Sequence, residues 1–268
     1  MSLHKTPIEW ATHTWNPVTG CMHGCRYCYA RGIAKRFGPK ATEHLVESTD
    51  FTKDGECYIL HKPTRQEDAG GHGRTSPYPF GFSPTLFEYK LNLPERCKTP
   101  ARIFVCSMAD LFGEWVPDEW IKRVFDACRR APQHKYLFLT KNPDRYIRMD
   151  REGKLPVLDN FWYGSTVTDP DMTFYWSERQ NTFASIEPLL APFEEDPSHN
   201  GIGLVKWAII GAETGPGASR HRPKREWVEA IVNTARREGV PVYMKDSLVP
   251  IMGEANMLRQ FPRGLQHG

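Results

Sequence analysis

ARIFVCSMAD (residues 101–110), followed by VPDEWIKRVFDACRRAP (116–132), decides the fold class. The first stretch is a short β-branched and aromatic run that ends in small and polar residues, which is the pattern of a buried strand. In the second, Ile121, Val124, Phe125 and Cys128 recur at i, i+3, i+4 and i+7. That spacing predicts a helix with one apolar face, opened by Pro117 and Asp118 and closed near Pro132. The same strand-then-helix rhythm recurs downstream. HKYLFLTK (134–141), NFWYGSTV (160–167), NTFASIEP (181–188), VKWAIIGAE (205–213) and VPVYMKD (240–246) are all apolar runs of strand length with polar ends. KREWVEAIVNTARREG (224–239) carries an apolar face of Trp227, Val228, Ile231, Val232 and Ala235, with Gly239 as its stop.

Strands that alternate with helices predict a mainly parallel sheet covered on both faces. With a strand expected around Ile8 to Val18, about seven βα steps result. The expectation is an α/β fold, a partial or full (β/α) barrel of TIM-barrel type, spanning residues 1–268 as a single domain. An open doubly wound sheet is the alternative, because periodicity does not distinguish closure from openness. Residues 39–83, rich in Gly, Pro, His and charge, break the rhythm and read as an irregular insertion after the first helix. The connection DPDMTFYWSERQN (169–181) is too short for a full helix.

Composition narrows the function classes. No apolar stretch is long enough for a signal peptide or a membrane span, so the reading is of a cytoplasmic protein with no membrane partner. A reducing compartment makes seven cysteines, an odd number, a poor disulfide framework and favours metal or catalytic use. A net charge of +3 does not by itself announce a nucleic-acid binder. Local clusters speak more clearly: Arg26, Arg31, Lys35 and Arg36, and later Arg220, His221, Arg222, Lys224 and Arg225.

Three of the cysteines, Cys21, Cys25 and Cys28, lie in CMHGCRYC with the spacing C-x3-C-x2-C. Structural zinc wants four ligands, and only His23 is local. A cubane iron-sulfur cluster held by three thiolates would leave its fourth iron open for chemistry. Cys106 and Cys128 fall on apolar faces and read as small buried hydrophobes. Trp10 and Trp15 flank the cysteine loop, either as core or as a shield over what it binds.

The C-x3-C-x2-C loop, with Tyr27 before its last cysteine, resembles the signature of the radical S-adenosylmethionine (SAM) superfamily. The likeness is closer still to a phage-associated family of radical-SAM-like proteins, through IEWATHTWNPVTGC (8–21), VCSMADLF (105–112), FLTKNPDR (138–145), SIEPLL (185–190) and IIGAETGPGASR (209–220). The resemblance implies a 4Fe-4S cluster on Cys21, Cys25 and Cys28. It further implies SAM on the open iron, reductive cleavage to a 5'-deoxyadenosyl radical, hydrogen abstraction from a substrate, and a reductant such as flavodoxin or ferredoxin. It places SAM-binding groups at strand ends: Tyr27, Ser107 and Asp110, the hydroxyls of Ser165 and Thr166, and Glu187, Gly211 and Glu213. Lys141, Arg220 and Arg222 are the expected substrate contacts, toward a nucleotide or nucleic acid. A zinc-stabilised nucleic-acid-binding protein and an iron-sulfur electron carrier are the competing classes.

Overall fold

The computed structural model describes residues 3–39, 44–45, 50–68, 70–195, 201–214 and 221–266. Its strands are β1 His4–Lys5, β2 His13–Trp15, β3 Val18–Thr19, β4 His44–Leu45, β5 Phe51–Asp54, β6 Cys57–Leu60, β7 Arg65–Glu67 and β8 Gly73–Thr75. There follow β9 Thr85–Phe87, β10 Arg102–Val105, β11 Lys135–Thr140, β12 Phe161–Thr166, β13 Asn181–Ile186, β14 Ala208–Ile210 and β15 Val242–Met244. The helices used below are α1 Tyr29–Phe37, α2 Leu93–Arg96, α3 Asp118–Arg129, α4 Pro143–Arg151 and α5 Arg225–Arg237.

One eight-stranded sheet runs β1-β2-β10-β11-β12-β13-β14-β15. Every pairing from β2 to β15 is parallel, and β1 joins β2 antiparallel. The parallel α/β architecture expected from the sequence is therefore present. Side chains alternate strictly along each strand, as the pleat demands. Ile103, Val105, Tyr136, Phe138, Phe161 and Tyr163 pack outward with residues of α3 and α4. Phe104, Leu137, Trp162, Phe183, Ile209 and Tyr243 point to the inner face. Ala184, Ile186, Ala208, Ile210, Val242 and Met244 pack outward with α5.

Trp10 shows how far the sheet curls. Its ring lies 4.7 Å from Phe104 on β10 and 6.5 Å from Trp207, the residue before β14. Those strands are four spacings apart, about 19 Å in a flat sheet. One indole meets both only because the inner face is concave. β1 and β15 do not pair with each other. Side chains cross that seam instead: Tyr243 Oη donates to Glu9 O at 3.2 Å, and Glu9 accepts from Asp246 N at 2.8 Å.

Two regions differ from expectation. The first strand is only three residues long, because the chain turns at Asn16–Pro17 and Val18–Thr19 leaves to pair with β9. Within 39–83, β5 and β6 form a hairpin, β6 also pairs with β9, and β7 pairs with β8. These strands are too short to show a period. The expectation for 169–181 holds: no helix forms between β12 and β13.

Candidate functional site

At the carboxyl ends of the parallel strands the inner face opens into a cavity of about 240 Å3. Cys21, Cys25 and Cys28 all line it, all as free thiols. The loop that carries them is suspended from fixed backbone points. Gly20 N donates to Met108 O at 2.9 Å, and Cys21 N to Phe82 O at 3.2 Å. Gly20 has φ +90°, and a Cβ there would stand 2.2 Å from Ser83 O, so only glycine fits. The last cysteine also starts the next helix: Cys28 is the N-cap of α1, its Sγ accepting from Arg31 N.

Asp110 ties this loop to the sheet. Its Oδ1 accepts from Phe112 N (3.0 Å) and Thr140 Oγ1 (2.7 Å); its Oδ2 accepts from Lys141 N (2.8 Å) and His23 Nε2 (2.7 Å). A carboxylate offers about four acceptor positions, and the chain itself fills four. His23, in the middle of the cysteine loop, is thereby fixed to the ends of β10 and β11, with its ring 4.8 Å edge-on from Trp115. Upstream, Cys106 has φ +60°, the one positive φ outside glycine among the described residues. That turn brings Ser107 to the cavity, where Tyr29 Oη donates to its carbonyl at 2.6 Å and its Oγ donates to Asn16 Oδ1 at 3.2 Å.

The electrostatics follow from burial. Desolvation pushes the Cys21 thiol up to about 11, with Asp110, Cys25 and Cys28 adding to the rise and the His23 amide opposing it. Burial lowers the Lys141 amine, against the opposing pull of Cys25, Asp110, Cys21 and Cys28. Lys141 Nζ sits 5.1 Å from the Tyr27 ring centroid. Burial raises the Tyr27 phenol, as do Cys25, Cys28 and Glu213. On the wall at the ends of β13 and β15, Lys245 Nζ is hydrogen-bonded to Glu187 Oε1. Gly211 makes room for that pair, since a Cβ there would meet the Glu187 carboxyl at 3.1 Å.

Of the residues expected from sequence, Tyr27, Ser107, Asp110, Lys141, Thr166, Glu187 and Glu213 come together with the three cysteines around one cavity. Ser165 does not line it; the side chain is fully buried and its Oγ accepts from Tyr175 N. Gly211 stands behind Glu187, and Arg222 is exposed and away from the lining. Arg220 lies outside the described residues. Trp10 lines the cavity, whereas Trp15 is core, its Nε1 donating to Lys90 O. Lys245, Thr140, Tyr29 and Ser185 were not singled out by sequence reasoning. Lys245 ends its strand just as Lys141 does, so the same strand-end rule would have found it.

No group of three or more His, Cys, Asp and Glu side chains among the described residues is arranged to hold one metal ion. A single zinc needs its donors around one point. A cluster takes each thiolate on a different iron, and an all-thiolate set from one loop has the chemistry for that. Among the described residues no other cysteine lines the cavity.

The chain belongs to the family described as "Protein of unknown function (DUF5131)", whose model matches residues 5–250. No curated protein matches it. Among solved structures it is similar to spore photoproduct lyase complexed with dinucleoside spore photoproduct. There the TM-score is 0.50 at 10% identity, covering 91% of this chain and 79% of the other. A mutant of the same lyase with dinucleoside spore photoproduct gives the same values. At that identity the likeness is one of fold.

Proposed function

We propose that this protein is a radical SAM enzyme whose cluster is held by Cys21, Cys25 and Cys28. The observation that carries the reading is the placement of three free thiols, and no other cysteine, on one wall of a cavity at the carboxyl ends of a parallel sheet. A fold in common with spore photoproduct lyase, a radical SAM enzyme, supports it. When bound, the cluster and SAM supply a 5'-deoxyadenosyl radical that abstracts hydrogen from substrate.

The chain's own residues then have separable tasks. Asp110 positions: with four donors already satisfied, it fixes His23 and so the cysteine loop, and the expected contact to the SAM ammonium would require it to release one of them. Lys141, buried beside the thiols, balances their negative charge and is the cation placed to meet the SAM carboxylate. Ser107, Thr166, Glu187 and Glu213 offer acceptors around the remaining wall, for SAM and for substrate. Trp10, Phe104 and Leu139 form an apolar floor that excludes water from a reactive intermediate. The nucleotide or nucleic-acid substrate class is supported by the dinucleoside bound in the similar structure and by the basic residues of α1.

Anaerobic reconstitution tests the reading. Expected are iron and sulfide at about four per chain, an altered electron paramagnetic resonance signal of the reduced protein on adding SAM, and release of 5'-deoxyadenosine. A protein that takes up zinc but no iron, or yields no 5'-deoxyadenosine under reduction, overturns it.

A further inference from the structure

The eighteen residues Cys21–Gly38 contain no carboxylate and four cations, Arg26, Arg31, Lys35 and Arg36, more positive charge than the net +3 of the whole chain. Among the described residues none of the four pairs with a carboxylate. Arg31 instead donates to Cys21 O at 3.2 Å and stands 5.0 Å from the Phe82 ring centroid, and Arg36 lies 5.2 Å from that of Phe37. On α3, by contrast, Lys122 and Arg129 both pair with Asp126. The charge on the cysteine loop and α1 is thus uncompensated by carboxylates among the described residues.

The same helix wastes its apolar side chains if nothing covers them. Only Ala30 and Ala34 of α1 are buried. Tyr29 (55% exposed), Ile33 (37%) and Phe37 (44%), at i, i+4 and i+8, form a stripe facing solvent. The stripe runs about 12 Å along the axis. It is continuous with the cavity mouth, because Tyr29 and Phe82 belong to the cavity lining as well. The Tyr29 hydroxyl is anchored on Ser107 O, so its ring is held at the rim rather than free to collapse inward.

We propose that the outer face of α1 docks single-stranded nucleic acid, with the Tyr29–Ile33–Phe37 stripe taking bases and Arg36 beside it, together with Arg26 of the preceding loop, taking phosphates. Exposed side chains beside an unpaired cation suit a single strand, whose base faces are free to stack. A duplex hides those faces. Twelve ångströms accommodates about three stacked nucleotides at 3.4 Å each. A strand lying there would hold one nucleotide over the cavity, a geometry that serves chemistry on an extruded base. The proposal rests on the reading of the cavity as a substrate site, but binding to α1 needs no cluster.

Fluorescence anisotropy with labelled 12-nucleotide single-stranded DNA and RNA, on protein with and without reconstituted iron, tests it. Expected is binding at low salt to at least one of the two single strands, in preference to duplex, falling with salt at a log-log slope of about −1.4 for two phosphate contacts. Arg36→Glu should weaken binding several-fold and flatten that slope, and Ile33→Ala/Phe37→Ala should weaken it with the slope retained. Both variants, at residues outside the cavity lining, should keep the wild-type iron content, and Lys122→Glu on α3 should bind as wild type. No binding to either single strand at low salt, or equal binding of polyglutamate, overturns the proposal. Loss of iron or of SAM cleavage alongside intact binding would instead overturn the cofactor reading.

Discussion

The inner face of the sheet is filled at one end and hollow at the other, although the same strands form both. At the amino ends Trp162, Trp207, Phe261 and Leu265 pack together, the chain reaching them after 258–260 run antiparallel beside β15. Trp207 Nε1 donates to Gln260 O, Arg102 donates to Leu265 O, and the Arg102 guanidinium stands 4.4 Å from the Phe261 centroid. At the carboxyl ends thiols, hydroxyls, carboxylates and two lysines surround open volume above the floor of Trp10, Phe104 and Leu139. The contrast teaches a division of labour. Large aromatics below bury surface and hold the curvature, which frees the residues above to be chosen for chemistry.

The comparison breaks most completely at the thiols. Replacing any one of Cys21, Cys25 or Cys28 with Ser should drop reconstituted iron from about four per chain to below one, with the melting temperature of the unloaded protein little changed. Cys57→Ser and Cys97→Ser, away from the cavity, should load normally. The reverse pattern is expected below. Trp207→Ala empties a fully buried site and should cost about 3–5 kcal/mol in chemical denaturation.

Asp110→Asn probes the join between the two ends. An amide presents hydrogens to one pair of the donors now satisfied, so a loss of about 1–3 kcal/mol is expected, together with reduced iron loading because His23 is no longer held. Loading equal to wild type would show that His23 and Asp110 merely stabilise the fold. The smallest effect belongs outside both ends. Burial lowers the Lys90 amine to about 8 from an ordinary 10.5. Between those values the unfolded chain binds the proton and the native one sheds it, so the cost of burying Lys90, full below about pH 8, is relieved as pH rises to 10.5. Lys90→Met should be more stable than wild type at pH 7, with the gap closing toward pH 10.5.

Much of this was legible in the sequence because strands buried on both faces leave long apolar runs. The runs ending at Asp110, Lys141, Glu187 and Glu213 all deliver those residues to the cavity. Ser165 shows the limit of the rule. It precedes Thr166 on β12, and successive side chains on a strand take opposite faces, so one lines the cavity and its neighbour serves the backbone of Tyr175. The insertion was less legible, since strands of two to four residues are too short for a period.

The sequence by itself determined the class of fold and the set of soft donors. Apolar periodicity is a local consequence of burial, and the thiol spacing is a local property of one loop. Only the tertiary structure decided that Asp110 is engaged by four donors from three separate segments, that Lys245 faces Glu187, and that α1 turns its aromatic stripe outward. Those facts depend on distances between residues far apart in the chain, which the curl of the sheet sets and no local pattern records.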